Sequence, residues 1–284
     1  MLMCNGRFST PEQNNCGEVD QKTVKFKTKD MKKRKFLSAL LIIVFAASFS
    51  LVAQNKATEP TNEQKTAWKK AQEEQQRNDW ANLERFRENN KQIGIPASGE
   101  KRIVFMGNSI TEGWSRLDSG FFSGKPYINR GISGQTTPQM LIRFKPDVVN
   151  IKASVVVILA GINDIAGNTG PSTLEMIEDN LSSMVEIGQA NGIQVVLSSV
   201  LPAYDFPWRP GMEPAEKVVK LNTWIKNFAG SHKCIYLDYF TPMADPKHAL
   251  KSEYTQDGVH PNLAGYKIME PLVEEAIKVA LGSK

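Results

Sequence analysis

Beyond residue 100 the chain alternates short apolar runs with longer stretches that turn apolar every three or four positions. Ile103 to Met106, Tyr127 to Asn129, Ser154 to Leu159, Ile193 to Val200 and Cys234 to Leu237 are the short runs. Their length and β-branched content predict strands, the second being the weakest. Pro138 to Phe144, Thr173 to Ala190, Glu213 to Ala229 and Asn262 to Leu281 carry helical periodicity. In the second of these, Leu174, Ile177, Leu181, Met184, Val185 and Ile187 follow the helical repeat. Near-continuous apolar strands separated by amphipathic helices predict an α/β fold, with a parallel sheet covered on both faces. Five strands suit a three-layer α/β/α sandwich of flavodoxin-like type. In open sheets of this kind, ligands bind beyond the carboxyl ends of the strands.

The N-terminal part reads differently. Residues 1–30 have no apolar periodicity and look like a doubtful leader. Met31-Lys32-Lys33-Arg34-Lys35 then opens a cationic stretch, followed by a charge-free run from Phe36 to Ala53. That order predicts a signal peptide over 31–53, with Met31 as initiator and cleavage after Ala53. Leu51 is large for the −3 position, and the run approaches the length of an uncleaved membrane anchor, so both fates stay open. Residues 54–98 are polar and rich in helix formers, predicting a helical extension. Trp80, Leu83 and Phe86 are spaced like one packing stripe of a helix or helix pair. Ile95-Pro96-Ala97-Ser98-Gly99 punctuates the chain before a domain over 99–284.

Composition narrows the function. The chain has 284 residues, 41% of them hydrophobic, enough for a substantial core. Of its 35 Lys/Arg and 30 Asp/Glu, nine and four precede Gln54, leaving 26 of each. The net charge of +5 therefore belongs to the leader. The mature part is formally neutral, with nothing to favour nucleic acid or an anionic membrane as partner. Cys4 and Cys16 also fall early. Cys234 is left alone, which excludes an internal disulfide and a cysteine-based zinc site, and its apolar setting predicts a core thiol.

Four motifs carry the chemistry. Gly107-Asn108-Ser109-Ile110-Thr111 places a serine just past the first strand. A serine hydroxyl is a weak nucleophile unless a base takes its proton, and such a serine also suits a helix N-cap. Asp257-Gly258-Val259-His260 supplies a histidine with a carboxylate to orient it, although the pair would equally serve a loop before the last helix. His232 and His248 lack a comparably placed acid. Gly161-Ile162-Asn163-Asp164 offers a carboxamide donor for an oxyanion, with Asp164 as a brace for the loop. Gly131-Ile132-Ser133-Gly134-Gln135-Thr136 offers backbone N–H groups from Gly131 or Gly134. A rival reading takes the Gly107–Thr111 loop alone, as a phosphate- or nucleotide-binding loop in a non-catalytic module.

In content and order, these motifs resemble the four blocks of the SGNH (GDSL-like) hydrolases, closest to the platelet-activating-factor-acetylhydrolase-like esterases. The resemblance spans Glu100 to Lys284. It departs at Asn108, where the family's name-giving sequence has aspartate. It implies a metal-free, cofactor-free serine esterase with Ser109, His260 and Asp257 as catalytic residues. The Ser109 and Gly134 N–H groups and the Asn163 side chain would form its oxyanion hole. The expected substrate is a small-molecule or glycan ester, with a small acyl group such as O-acetyl. Trp114, Tyr204, Phe206 and Trp208 are candidates for stacking a sugar, or for simple packing.

Overall fold

The computed structural model describes residues 61–282, so the leader and the predicted signal segment lie outside the described residues. The chain separates into two units, Met1–Lys65 and Thr66–Lys284, and the elements below belong to the second apart from the first turn of α1. Helices α1 (Asn62–Asn78) and α2 (Arg87–Ile93) precede strand β1 (Ile103–Gly107). The chain continues through α3 (Ser109–Leu117), α4 (Ser119–Phe122), β2 (Tyr127–Gly131), α5 (Thr137–Phe144) and a π-helical turn (Lys145–Val149). After β3 (Val155–Leu159) come α6 (Ile162–Ile165), α7 (Leu174–Ala190), β4 (Gln194–Ser198), α8 (Ala215–Ser231) and β5 (Ile235–Leu237). Helix α9 (Phe240–Met243), a short 3₁₀ turn (Ser252–Tyr254) and α10 (Leu263–Ala280) complete the order.

The five strands are all parallel, in the order β2-β1-β3-β4-β5. This is the flavodoxin-like arrangement, with its switch point between β1 and β3. Side-chain alternation divides the core. Val104, Met106, Val156, Ile158, Val195 and Leu197 pack on one face with residues of α5, α7 and α8. Ile103, Phe105, Val155, Val157, Leu159 and Val196 pack on the other with residues of α3 and α10. Each fully buried aliphatic side chain contributes about 1.5–3 kcal/mol, which is why both faces must be covered. The α/β/α sandwich is therefore the observed architecture.

Two close approaches set the top of the sheet. In the register, Gly107 of β1 lies opposite Gly131 of β2 on one side and Leu159 of β3 on the other. A methyl group on Gly107 would fall 2.0 Å from Thr111 Oγ1, and one on Gly131 would fall 2.1 Å from Glu112 N. Helix α3 thus sits directly on the ends of β1 and β2, and only glycine admits it.

Two expectations need correction. Trp80, Leu83 and Phe86 do not share a helix, because the chain turns between α1 and α2. The Asp79 carboxylate accepts from Leu83 N and Glu84 N, and Asn82 adopts φ 55°, which breaks the helical repeat. Trp80 and Leu83 remain substantially exposed, and Ala81 is the buried residue. Cys234 lies just before β5 and is half-buried, because β5 is an edge strand. Burial still pushes its thiol up to about 11, so it is mostly protonated at neutral pH.

Candidate active site

The loop after β1 begins with Asn108, which is fully buried and caps α3 by accepting from Ile110 N at 3.1 Å. Asparagine and aspartate cap about equally well, so the departure at Asn108 leaves the turn intact. Ser109 is then the first residue of α3, and not its cap. Its Oγ lies 2.9 Å from His260 Nε2, across 151 positions of sequence. His260 Nδ1 lies 2.7 Å from Asp257 Oδ2.

The Asp257–His260 turn is held by its own backbone. Asp257 Oδ1 accepts from Val259 N at 2.9 Å and from His260 N at 2.8 Å. Burial pushes the Asp257 carboxyl up, but these bonds and the imidazole outweigh it and hold the group below its ordinary range. Thr255 Oγ1 donates to His260 O and accepts from Gly258 N, tying the turn shut. Asn262 then caps α10 by accepting from Gly265 N. On α10, Tyr266 donates its hydroxyl to Ile110 O at 2.8 Å, fixing the histidine-bearing segment to the serine-bearing helix.

Asn163 sits in α6 at the end of β3, beside β1 in the sheet, and is buried. Its Nδ2 donates to Gln135 O at 2.9 Å, leaving a second N–H on the same nitrogen. Gly134 adopts φ 78°, a conformation that favours glycine, and its N–H has no acceptor among the described residues. Its carbonyl accepts from Asn168 Nδ2. Gly131, the alternative, is packed under α3, and only Gly134 lines the cavity in front of Ser109. Glu112 holds this loop from the other side, accepting from Ser133 N at 2.9 Å and from the Ser133 hydroxyl. Arg85 pairs with Glu112 at 3.0 Å.

These groups surround one cavity of about 390 Å³, lined by Ser109, Gly134, Asn163, Asn168, Trp208 and His260 among others. Of the four aromatic candidates, only Trp208 lines it, with its ring 5.8 Å from the His260 ring. Trp114 stacks on Phe121 and Tyr266 in the core, and Phe206 is fully buried. Tyr204 is exposed but does not line this cavity. His232 stacks on Phe228 and His248 lies near Phe240, both in contacts separate from Ser109. Among the described residues no cluster of three or more His, Cys, Asp or Glu side chains could hold a metal ion.

The profile of the GDSL-like Lipase/Acylhydrolase family matches residues 105–268. The chain belongs to this family. It is a carboxylic ester hydrolase, and the non-catalytic phosphate-binding reading is set aside. The chain is similar to the crystal structure of a protein classed as an acylhydrolase from Bacteroides fragilis, at 45% identity and a TM-score of 0.70. That match covers 72% of this chain and 99% of the other. A GDSL-like lipase from Bacteroides thetaiotaomicron matches at 46% identity and a TM-score of 0.70, over 71% of this chain and 100% of the other. A protein described as a platelet activating factor from Streptococcus pneumonia shares the fold at 24% identity and a TM-score of 0.59, over 72% and 98%. No curated protein matched the chain.

The hydrolase also uses residues that the motifs do not announce. Glu112 and Tyr266 act through contacts with distant parts of the chain, and Thr255 through the turn that carries His260. Asp164, expected to brace its loop, is buried and accepts from Thr137 N at 3.0 Å and Thr137 Oγ1 at 2.6 Å, so it also pins the start of α5. Burial pushes its carboxyl up to about 6, against hydrogen bonds from Thr137 that pull it down. A carboxyl raised in the folded state above its ordinary value of 3.8 stabilises the fold most below that value. The contribution is lost as pH rises through about 6. Asp164→Asn should abolish this dependence. The stability of the native hydrolase relative to the variant should grow as pH falls from 7 to 4, by up to about 3 kcal/mol. Urea titrations at several pH values read this difference, and a constant difference across the range would contradict the assignment.

Proposed function

We propose that this hydrolase cleaves small acyl esters through an acyl-enzyme on Ser109. The observation that carries the reading is the unbroken hydrogen-bonded path from Ser109 Oγ through His260 to Asp257. His260 Nε2 takes the Ser109 proton as Oγ attacks the carbonyl carbon. Asp257, held below its ordinary range, keeps Nδ1 protonated and stabilises the imidazolium that forms. The oxyanion is received by the Ser109 and Gly134 N–H groups and by the free N–H of Asn163. The imidazolium then gives its proton to the leaving alcohol. Water activated by His260 attacks the acyl-enzyme, and the acid departs.

The acyl group in this reading is small, O-acetyl above all, and the alcohol is a carbohydrate. A formally neutral chain beyond residue 53 supports an uncharged substrate, and exposed Trp208 beside His260 supports a sugar ring near the leaving oxygen. The enzyme is exported by residues 31–53, with 54–98 as an extension and 99–284 as the hydrolase domain. The cationic stretch and charge-free run before Gln54 support export.

Kinetics on p-nitrophenyl esters graded by acyl length test the chemistry. The acetyl ester should be the best substrate of the series. Asn163→Ala should reduce kcat by roughly 10²–10³-fold, the usual effect of deleting one oxyanion donor. Ser109→Ala should lose about 10⁴-fold or more, because no acyl-enzyme can form. Small and equal losses for the two variants would overturn the assignment. For export, N-terminal sequencing of secreted protein should begin at Gln54, whereas retention of residues 31–53 would favour an anchor.

A further inference from the structure

The segment before β1 builds a second cavity against the first. Gln75, Gln76, Trp80 and Asn82 line it from one side and the Ser133-Gly134 turn from the other, around a volume of about 220 Å³. The two cavities share Ser133, Gly134 and Asn168, so they meet at the loop beside Ser109. The wall is anchored from the sheet side. Gln135 Nε2 donates to Ala81 O and Gln139 Nε2 to Trp80 O, both at 2.7 Å. These bonds fix the Trp80–Asn82 turn relative to the Gly134 loop.

The lining has a consistent chemistry. It contains no charged side chain. The Gln76 and Asn82 carboxamides make no hydrogen bond among the described residues, and each offers two donors and an acceptor. Trp80 is 40% exposed and takes part in no ring or cation contact among the described residues. An apolar ring beside unpaired carboxamides suits a ligand with an apolar face and a hydroxyl-bearing edge. A hydrocarbon chain would strip water from both carboxamides and give no hydrogen bond back, which disfavours it. A charged ligand would find no counter-ion.

We infer that this cavity is a subsite for a neutral sugar unit in the alcohol part of the substrate, adjacent to the acylated one. The inference rests on the carbohydrate-ester reading above and adds the place where the glycan continues. Specificity for an oligosaccharide over a simple ester then comes from the segment before the sheet, and not from the loops that carry Ser109 and His260.

Calorimetry with the full chain carrying Ser109→Ala tests this without turnover. Xylotriose, cellotriose and mannotriose are the probes, with trigalacturonate and hexanoate as charged and acyl-like comparisons. At least one neutral trisaccharide should bind, and adding Trp80→Ala or Gln76→Ala should weaken it roughly tenfold. Asn82→Gly removes the third group while suiting the positive φ. Unchanged melting temperatures report that the fold survives. With Ser109 restored, Trp80→Ala should lower the ratio of kcat/KM for an acetylated trisaccharide to that for p-nitrophenyl acetate by a similar factor. No binding of any neutral trisaccharide, equal binding by parent and variants, or preference for hexanoate or trigalacturonate would overturn the subsite. If the native protein hydrolyses no ester, the catalytic reading falls, while the calorimetric result still decides the cavity.

Discussion

Arg143 carries a full charge with no exposure to solvent, and the upper edge of the sheet is organised around it. Its guanidinium donates to Gly107 O at 3.0 Å and Arg130 O at 2.8 Å, the last carbonyl of β1 and the last but one of β2. It also donates to Gln135 Oε1 at 2.5 Å and to Asp147 Oδ2 at 3.0 Å. Burial works against the cation, and Asp147 works for it. A planar group with donors in a fixed fork satisfies all four acceptors at once, which a lysine could not do. Removing it would strand a buried carboxylate, typically a loss of about 3–5 kcal/mol.

The effect reaches the site because Gln135 is fastened in two directions. Its side chain is held by Arg143 and holds the Ala81 carbonyl, while its own carbonyl receives Asn163 Nδ2. Glu112 grips Ser133 on one flank, and Asp164 pins Thr137 on the other. Gly134 lies inside this frame. Donors fixed before substrate arrives need no reorganisation as charge develops on the carbonyl oxygen, and that preorganisation is usually the largest contribution to acyl-transfer catalysis. The Ser109–His260 pair is fixed through the Asn108 cap, the Thr255 turn and the Tyr266 hydroxyl. Helix α3 carries both Ser109 and Glu112, so it joins the bracing of the proposed nucleophile to that of the Gly134 loop.

The strands β1, β3 and β4 were legible because burial on both faces leaves few polar residues in them, and α7 and α10 because one face repeats with helical period. The edge strand β5 and the half-buried Cys234 were less so, since an edge carries a weaker apolar signal. The Trp80–Phe86 stretch misleads because aromatic spacing mimics a helix, while the Asp79 carboxylate and the positive φ of Asn82 decide the backbone. Ser109, Asp257 and His260 stand out through their local motifs. The choice between Gly131 and Gly134 could not be made locally, because it depends on how closely α3 approaches β2. Arg143 reads as an ordinary helix residue, since all of its acceptors except Asp147 lie outside its own helical turns.

The central claim is that His260 makes Ser109, and no other serine, the nucleophile. Treatment with a fluorophosphonate, followed by peptide mapping by mass spectrometry, tests it most directly. The account predicts a single adduct on Ser109 that forms readily in the native protein and far more slowly in His260→Ala. An adduct on a different serine, or equal labelling rates in the two proteins, would contradict it.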